Sequence, residues 1–297
     1  MLLAVALLGL GASPALTAQP IADDGAATLQ RCLQRGWSRL EIDVDGAKRS
    51  LLWRGPPGAW TRGAILVAHG GGGRAAYWCA GAEWFAGAQI RFADAAMADG
   101  FAVFALESTD RVTDQAGRVC GKVWDDEPRD RPNLDLPYLA AIIDRVLPTV
   151  RPTGSADAVF MTGLSSGAFM TVRAATHLGE RLAAAAPVSG GDPYGWRREC
   201  IAGLTPRRTV HGIGRAIATG RPITEPGACG VPDAPDPPSG SRWDEPAGRK
   251  PPMRVFMHRN DGIHDASCAE ALSARLRRHG YPLEPDTVLD GGSRSLA

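Results

Sequence analysis

The stretch VFMTGLSSGAFMTVRAATHL, residues 159–178, decides the fold. It opens within the short apolar run AVFMTG, at 158–163, which is typical of a buried parallel strand. It closes on a helical run that begins at Ala168. Between the two lies Gly163-Leu164-Ser165-Ser166-Gly167, a G-x-S-x-G pattern. That pattern alone occurs by chance, but a strand, the motif and a helix in this order predict a sharp turn that exposes a serine.

Ser165 is the candidate nucleophile of this turn. The turn is so tight that side chains flanking the serine would collide with the neighbouring strand and helix, which explains the small residues. The following helix would aim its N-terminus at the reaction centre. Ser166 also carries a hydroxyl, but the spacing of the motif selects Ser165. Because Ser166 would act through its backbone amide, Ser166→Ala should keep most of the activity.

The rest of the chain alternates strand and helix patterns. Similar apolar runs occur at 64–68, 101–106 and 183–189, and helical spacing of apolar residues occurs at 90–100 and 134–150. This alternation predicts a mostly parallel sheet with helices on both faces and with ligands at the carboxyl ends of its strands.

Three further elements complete the expected sheet. Residues 39–54 alternate around Asp45-Gly46, which predicts an antiparallel hairpin at the sheet edge. Two more strands are expected at 253–258 and 286–292, separated by a helix over 266–279.

A second glycine-rich segment follows the strand at 64–68. The sequence His69-Gly70-Gly71-Gly72-Gly73 predicts an oxyanion hole, since glycine lets the main chain approach a substrate carbonyl closely. The donors would be the amide of Ser166 and one amide within Gly70 to Gly72, with Gly70 and Gly71 favoured. The alternative is a flexible loop. His69 is expected to be structural rather than the catalytic base.

The acid that would orient a histidine base is expected after the strand at 253–258. The segment MHRNDGIHDASC offers Asp261 and Asp265. Asp261 follows the strand in an Asn-Asp-Gly turn, from which a carboxylate can reach a histidine on the next loop. Asp265 is better placed to cap the helix that begins near Ala266. We therefore favour Asp261.

Five segments carry a family resemblance: VAHGGGG, LDLPYLAAIIDRV, VFMTGLSSGAFMTVRAA, APVSGGDPYGW and MHRNDGIHDASC. Together they resemble the secreted esterases related to polyhydroxybutyrate depolymerases and feruloyl esterases. The resemblance implies an α/β-hydrolase fold, no cofactor and a catalytic triad in the order Ser, Asp, His. Ser165 matches the serine motif of that pattern, and Asp261 fits its acid position.

The resemblance also implies a histidine on the loop after the last strand, followed by a terminal helix. Here the last predicted strand runs into Gly291–Ala297 without a histidine. His258 and His264 come from the loop expected to supply the acid, whereas the base normally needs a separate loop. We therefore expect a chain truncated at its C-terminus, without that helix, whose catalytic histidine lies within roughly ten residues beyond Ala297.

The remaining features concern organisation and location. Residues 1–18 form an uncharged apolar run of signal-peptide type with a cut after Ala18, which leaves 19–297 as one domain in a secreted or periplasmic protein. The segment 190–252 is expected to be a cap or a pocket wall, or else a surface excursion pinned by cysteines. The six cysteines of an exported chain favour disulfides; the alternative is six small buried side chains.

Composition excludes several classes of function. The net charge is +1 and no run of like charges occurs, so neither nucleic acid nor a membrane surface is an expected partner. No cysteine and histidine spacing of the zinc type occurs, so no metal is expected. The expected function is hydrolysis of small or polymeric esters, either hydroxyalkanoate oligomers and polyesters or aryl esters of the feruloyl type. The alternatives are a non-catalytic binding module and a serine peptidase on the same fold.

Overall fold

The computed structural model describes residues 25–81, 83–113, 119–126, 131–194, 248–259 and 267–289. The strands in these residues are β1 (Ser38–Val44), β2 (Ala47–Arg54), β3 (Gly63–Ala68), β4 (Phe101–Leu106), β5 (Asp110–Thr113), β6 (Val119–Val123), β7 (Val159–Leu164), β8 (Ala184–Val188), β9 (Phe256–His258) and β10 (Thr287–Leu289). The helices are α1 (Gly25–Gln34), α2 (Glu83–Ala98), α3 (Leu136–Ala141), α4 (Leu147–Val150), α5 (Ser166–His177) and α6 (Ser267–Arg278).

Eight of the described strands form one sheet in the order β1-β2-β4-β3-β7-β8-β9-β10. The first two neighbour pairs, β1 with β2 and β2 with β4, are antiparallel. All pairs from β4 to β10 are parallel. The mostly parallel sheet that the sequence predicts is therefore confirmed.

The predicted edge hairpin is also confirmed. Strand β1 is the first strand of the sheet and, among the described strands, pairs with β2 alone. The turn between them consists of Asp45 and Gly46, whose φ angles are 51° and 79°. Two successive positive φ angles are typical of the two-residue turn whose twist matches that of the flanking strands.

Strand β3 shows how the sheet is covered on both faces. Leu66 and Ala68 belong to a core cluster with Leu139 of α3 and Met170 of α5. The alternate residue Val67 belongs to a second cluster, which includes residues of α1 and α2. Because successive side chains of a strand point to opposite faces, helices lie on both sides of the sheet, as expected.

The helical run predicted at 134–150 is interrupted by a π-helical turn. Helix α3 ends at Ala141, residues Ile142–Val146 form the π turn, and α4 follows. Pro148 lies in the first turn of α4 and has no N–H to donate to the residue four positions earlier. The break in the regular helical ladder therefore coincides with a proline.

Two features between the strands were not predicted or only partly predicted. Strands β5 and β6 form a separate antiparallel pair with an irregularity between Val112 and Thr113. A disulfide joins Cys32 of α1 to Cys79, which follows the short 3₁₀ helix Ala75–Trp78. This bridge links the first helix to the segment that follows the His69–Gly73 loop in the chain.

Several expectations fall outside the described residues. They concern the leader at 1–18, residues 195–247 of the expected cap, the two candidate acids Asp261 and Asp265, and the chain from 290 to its end. No helix in the described part of the chain combines the length and the hydropathy needed to cross a bilayer.

Candidate active site

The turn predicted around Ser165 is a strained one. Strand β7 ends at Leu164 and α5 begins at Ser166, with Ser165 between them at φ 55° and ψ −116°. L-residues avoid this region, and holding one there costs about 1–3 kcal/mol. Its N–H donates to the carbonyl of Val188 at 3.0 Å, and its carbonyl accepts from Ala168 N–H at 2.8 Å. The surrounding backbone therefore holds the strain in place.

The two glycines of the motif have no room for a side chain. A Cβ atom at Gly163 would lie 2.6 Å from the carbonyl carbon of Gly167 and 2.9 Å from Cβ of Ala68. A Cβ atom at Gly167 would press on the carbonyl oxygen of Ala68 and lie 2.7 Å from that of His69. These backbone contacts cannot relax like a flexible side chain. They explain why the motif needs glycine on both sides of the serine.

The glycine loop after β3 lies beside the serine because β3 and β7 are adjacent and parallel. In their register Ala68 is opposite Gly163, so both loops leave the same edge of the sheet. A Cβ atom built on Gly70 would lie 3.6 Å from Cβ of Ser165. The structure therefore brings together the serine and the loop that were predicted to form one site.

Hydrogen bonds made by the backbone amides of the loop reduce the number of candidate oxyanion donors. Gly72 N–H donates to the carbonyl of Lys122 at 2.7 Å, and Gly73 N–H donates to the carbonyl of Gly70 at 2.9 Å. Among the described residues the amides of Gly70 and Gly71 have no acceptor. Of the predicted range Gly70 to Gly72, only the first two amides therefore remain.

The third candidate donor is the amide of Ser166. Ser166 is the first residue of α5, and the first amides of a helix have no carbonyl partner within the helix. The residue is buried, although the neighbouring Ser165 is half-buried. An N–H at this position also carries the partial positive charge of the helix N-terminus.

Both ring nitrogens of His69 are engaged. The Nε2 atom accepts from Ser108 N–H at 3.4 Å, which leaves Nδ1–H to donate to the carbonyl of Gly70 at 2.8 Å. Burial lowers the pKa of His69, and the nearby Glu107 carboxylate only partly opposes that shift. A neutral histidine with both nitrogens occupied is unsuited to take a proton from Ser165, which agrees with the structural role expected for it.

The residues Lys122–Asp126, called here the 122–126 segment, contact both loops. Trp124 donates through its backbone N–H to Ser166 Oγ at 3.3 Å and through its indole N–H to the carbonyl of His69 at 2.8 Å. Ser166 Oγ in turn donates to the Asp126 carboxylate at 2.7 Å. Sequence reasoning missed Trp124 and Asp126, because they lie far along the chain from both motifs.

A buried ionic network is bonded to the 122–126 segment. The Asp135 carboxylate pairs with Arg49 at 2.6 Å and accepts from Asp125 N–H at 2.8 Å. Burial raises the pKa of Asp135, and the Arg49 guanidinium opposes that shift. The Asp125 carboxylate pairs with Arg131 at 2.7 Å. In the described ranges no three acidic, histidine or cysteine side chains form a group that could hold a metal ion.

The expected acid lies outside the described residues, but the strand that precedes it is described. The carboxyl end of β9 lies at the same sheet edge as Ser165, because Ser189 N–H, just beyond β8, donates to the carbonyl of Phe256 at 2.9 Å. His258 is buried at the end of β9. His177 ends α5 and His279 directly follows α6. His211 and His264 lie outside the described residues, as do both candidate acids.

Comparison with solved structures identifies the class of fold. Over 88% of this chain and 92% of the other, the fluorophosphonate-binding serine hydrolase FphF of Staphylococcus aureus is similar with a TM-score of 0.50 at 12% identity. The acetyl xylan esterase of Aspergillus awamori is similar over 79% of this chain and 77% of its own, with a TM-score of 0.50 at 18% identity. At these identities the likeness establishes the fold alone. This chain has the α/β-hydrolase fold.

Other comparisons add less. The acylaminoacyl peptidase of Pyrococcus horikoshii has a TM-score of 0.53 at 13% identity and covers 87% of this chain, which corresponds to 37% of the peptidase. No protein-family model matches the sequence. No curated protein matches it either.

Proposed function

We propose that this chain is an exported serine hydrolase that cleaves carboxylic esters through an acyl-enzyme on Ser165. The observation that carries the proposal is the strained Ser165 turn placed beside amides that have no acceptor in the described residues. Gly70 or Gly71 supplies one donor of the oxyanion hole, and Ser166 supplies the other. Strain of this kind clusters at functional sites, since ordinary folding gains nothing from it.

The reaction takes two steps in this arrangement. A histidine base takes the proton of Ser165, whose oxygen attacks the ester carbonyl and forms a C–O bond. The carbonyl electron pair moves onto oxygen, where the two amides and the N-terminus of α5 stabilise the charge. The alcohol leaves with the proton from the base. Water then repeats the sequence on the acyl-enzyme and releases the acid.

Asp261 is proposed as the acid that orients this histidine. It comes three residues after β9, whose carboxyl end lies at the same sheet edge as Ser165. A carboxylate on the loop beyond that edge can reach a histidine ring above the serine. Asp265 lies two residues before α6 and is better placed as a helix cap.

The substrate class rests on the sequence resemblance and on the ester-cleaving enzymes among the proteins of similar fold. We propose hydroxyalkanoate oligomers or polyesters, or aryl esters of the feruloyl type. Export is supported by the signal-peptide pattern at 1–18 and by the Cys32–Cys79 disulfide, since disulfides persist in oxidising compartments. Polymeric esters have to be cut outside the cell.

The test is labelling with a fluorophosphonate probe, performed on protein expressed from its complete gene. Wild-type protein should be labelled and should hydrolyse p-nitrophenyl acetate, and Ser165→Ala should lose both while it unfolds at the same urea concentration. Ser108→Ala is the matched control. Its hydroxyl is buried near the site but has no hydrogen-bond partner in the described structure, so activity should persist.

The outcomes separate the alternatives. Wild-type protein that neither reacts with the probe nor cleaves the ester would support a non-catalytic binding module. Turnover of p-nitroanilides that is lost in Ser165→Ala would support a peptidase. Methyl ferulate and 3-hydroxybutyrate oligomers, compared by kcat/KM, then distinguish the two proposed ester classes.

A further inference from the structure

Trp124 contacts both halves of the proposed oxyanion hole. Its backbone N–H bonds to Ser166 Oγ and its indole N–H to the carbonyl of His69. The side chain is only 1% exposed, and its ring packs against the His69 ring with a centroid distance of 5.1 Å. Trp124 therefore links loops that follow two different strands, β3 and β7.

The contact with His69 fixes the direction of a candidate donor. The carbonyl of His69 and the N–H of Gly70 belong to one peptide group, which is planar and trans. When Trp124 holds the oxygen, the Gly70 N–H is constrained to the opposite direction. Glycine by itself permits many backbone conformations, so the orientation in this loop depends on such outside contacts. A carbonyl that accepts a hydrogen bond also polarises its amide and strengthens the N–H as a donor.

The next peptide group in the loop is held in the same way. The carbonyl of Gly70 accepts from both His69 Nδ1 and Gly73 N–H. Its partner in the peptide plane is the N–H of Gly71. The N–H groups of Gly70 and Gly71, the two remaining donor candidates of the loop, thus each share a peptide plane with a carbonyl that the protein holds on the opposite side.

The contact with Ser166 fixes the second donor. Ser166 Oγ lies between the Trp124 N–H and the Asp126 carboxylate. No helical carbonyl holds the amide of this first residue of α5. A side chain fixed at two points restricts the residue and, with it, the direction of its N–H.

We propose that Trp124 is a positioning residue that sets the two oxyanion donors relative to each other. This inference rests on the proposed esterase function. The 122–126 segment is itself held at both ends, since the Lys122 carbonyl accepts from Gly72 N–H and Asp125 N–H bonds to Asp135. Misplaced donors weaken the binding of the oxyanion more than that of the neutral ester. The loss therefore appears in kcat rather than in KM.

The experiment uses Trp124→Phe, which keeps an aromatic ring and removes the indole N–H. Removing an oxyanion donor outright costs about 10²–10³ in kcat, so disturbing its direction should cost about 10-fold, with KM changed less than about 2-fold. Inhibition by a trifluoromethyl ketone, which forms an oxyanion on the serine, should weaken by the same factor. A matched alcohol that cannot form an oxyanion should bind unchanged.

Trp37→Phe is the control substitution. Trp37 is 3% exposed, and its indole N–H has no hydrogen-bond partner among the described residues, so phenylalanine loses no bond there. Its kcat should equal that of the wild type. The sequence alone predicts that Ser166→Ala keeps most of the activity. In the structure this substitution removes the second contact of Trp124, so we expect it to lower kcat several-fold. It keeps the inference testable if Trp124→Phe does not fold.

Three results would overturn the inference. The first is an unchanged kcat in both Trp124→Phe and Ser166→Ala. The second is a loss shared equally by the ketone and the alcohol, which would indicate a general structural defect. The third is wild-type protein without turnover that depends on Ser165, which would overturn the proposed function together with the inference. The first two leave the proposed function intact.

Discussion

The two loops that would hold an oxyanion are supported in different ways. The Ser165 turn is held by backbone bonds to Ala168 in its own helix and to Val188 in the adjacent strand β8, and by glycines that have no room for a side chain. Inside the His69–Gly73 loop, His69 Nδ1 and Gly73 N–H both donate to the carbonyl of Gly70. The outward bonds of the loop run to Ser108 and to the 122–126 segment, which is in turn bonded to the Arg49–Asp135 pair.

This difference indicates which parts of a site a local motif can encode. A turn that is enforced by steric contact is specified by residues that are close together in the sequence. A glycine loop permits many conformations, so its active geometry has to be imposed by residues from elsewhere in the chain. The following substitutions act on the Arg49–Asp135 pair behind the glycine loop, on the Ser165 turn and on His69.

Removal of the buried ion pair should have the largest effect on stability. Asp135→Ala leaves Arg49 buried without its carboxylate and removes the acceptor of Asp125 N–H. Breaking a buried pair from one side costs about 3–5 kcal/mol, measured as the free energy of unfolding in urea. Because the 122–126 segment loses its anchor, kcat should also fall.

Two further variants sharpen this measurement. The double substitution Arg49→Met with Asp135→Leu should recover the part of the lost stability that comes from the unpaired buried charge. The part that comes from Asp125 N–H, which still lacks its acceptor, should not be recovered. Asp144→Ala removes an exposed partner of Arg181 and should cost at most about 1 kcal/mol. Equal losses at the buried and the exposed pair would contradict the role given to Asp135.

A smaller loss is expected from breaking the turn itself. In Gly167→Ala the added methyl group meets backbone oxygens of Ala68 and His69, so β3 and α5 have to separate. Overpacking of this kind costs about 1–3 kcal/mol. It also moves both loops of the site, so kcat should fall sharply.

Gly154→Ala is the comparison for that variant. Gly154 has a φ of 81°, and an added Cβ atom there meets nothing within 4 Å. Alanine at this position should lower the free energy of unfolding through conformational strain alone and leave kcat unchanged. If the two variants lost equal fractions of kcat, the steric account of the turn would be wrong.

Much of the fold could be predicted from the sequence because its signals are local. Apolar runs indicated β3, β4, β7 and β8, and Asp45-Gly46 indicated the edge hairpin. The β5–β6 pair was missed because its strands are short and carry no regular alternation. Trp124 and Asp126 were missed for a different reason, since their contacts with His69 and Ser166 exist only after distant strands have come together.

The smallest expected effect is a pH dependence at His69. Burial lowers its pKa in the folded state, so the unfolded chain binds a proton more readily below its ordinary value of about 6.5. Stability is therefore fully present above that pH and falls as the pH drops from there towards the lower folded pKa. His69→Gln does not titrate and can still accept from Ser108 N–H.

Urea unfolding measured between pH 7 and pH 5 tests this prediction. The free energy of unfolding should fall less steeply with decreasing pH in His69→Gln than in the wild type. Identical slopes in His69→Gln and the wild type would show that His69 contributes no such dependence.

The pairing of β3 with β7 has a consequence for the order of folding. Ala68 lies opposite Gly163, and the two strands are separated in the chain by α2, β4, the β5–β6 pair and α3–α4. Contacts between such distant segments form late, because the loop between them has to close first. We therefore expect the serine and its glycine loop to meet only after β3 and β7 have paired. A reagent that reacts only with the assembled site would then label molecules that have finished folding and would not label collapsed intermediates.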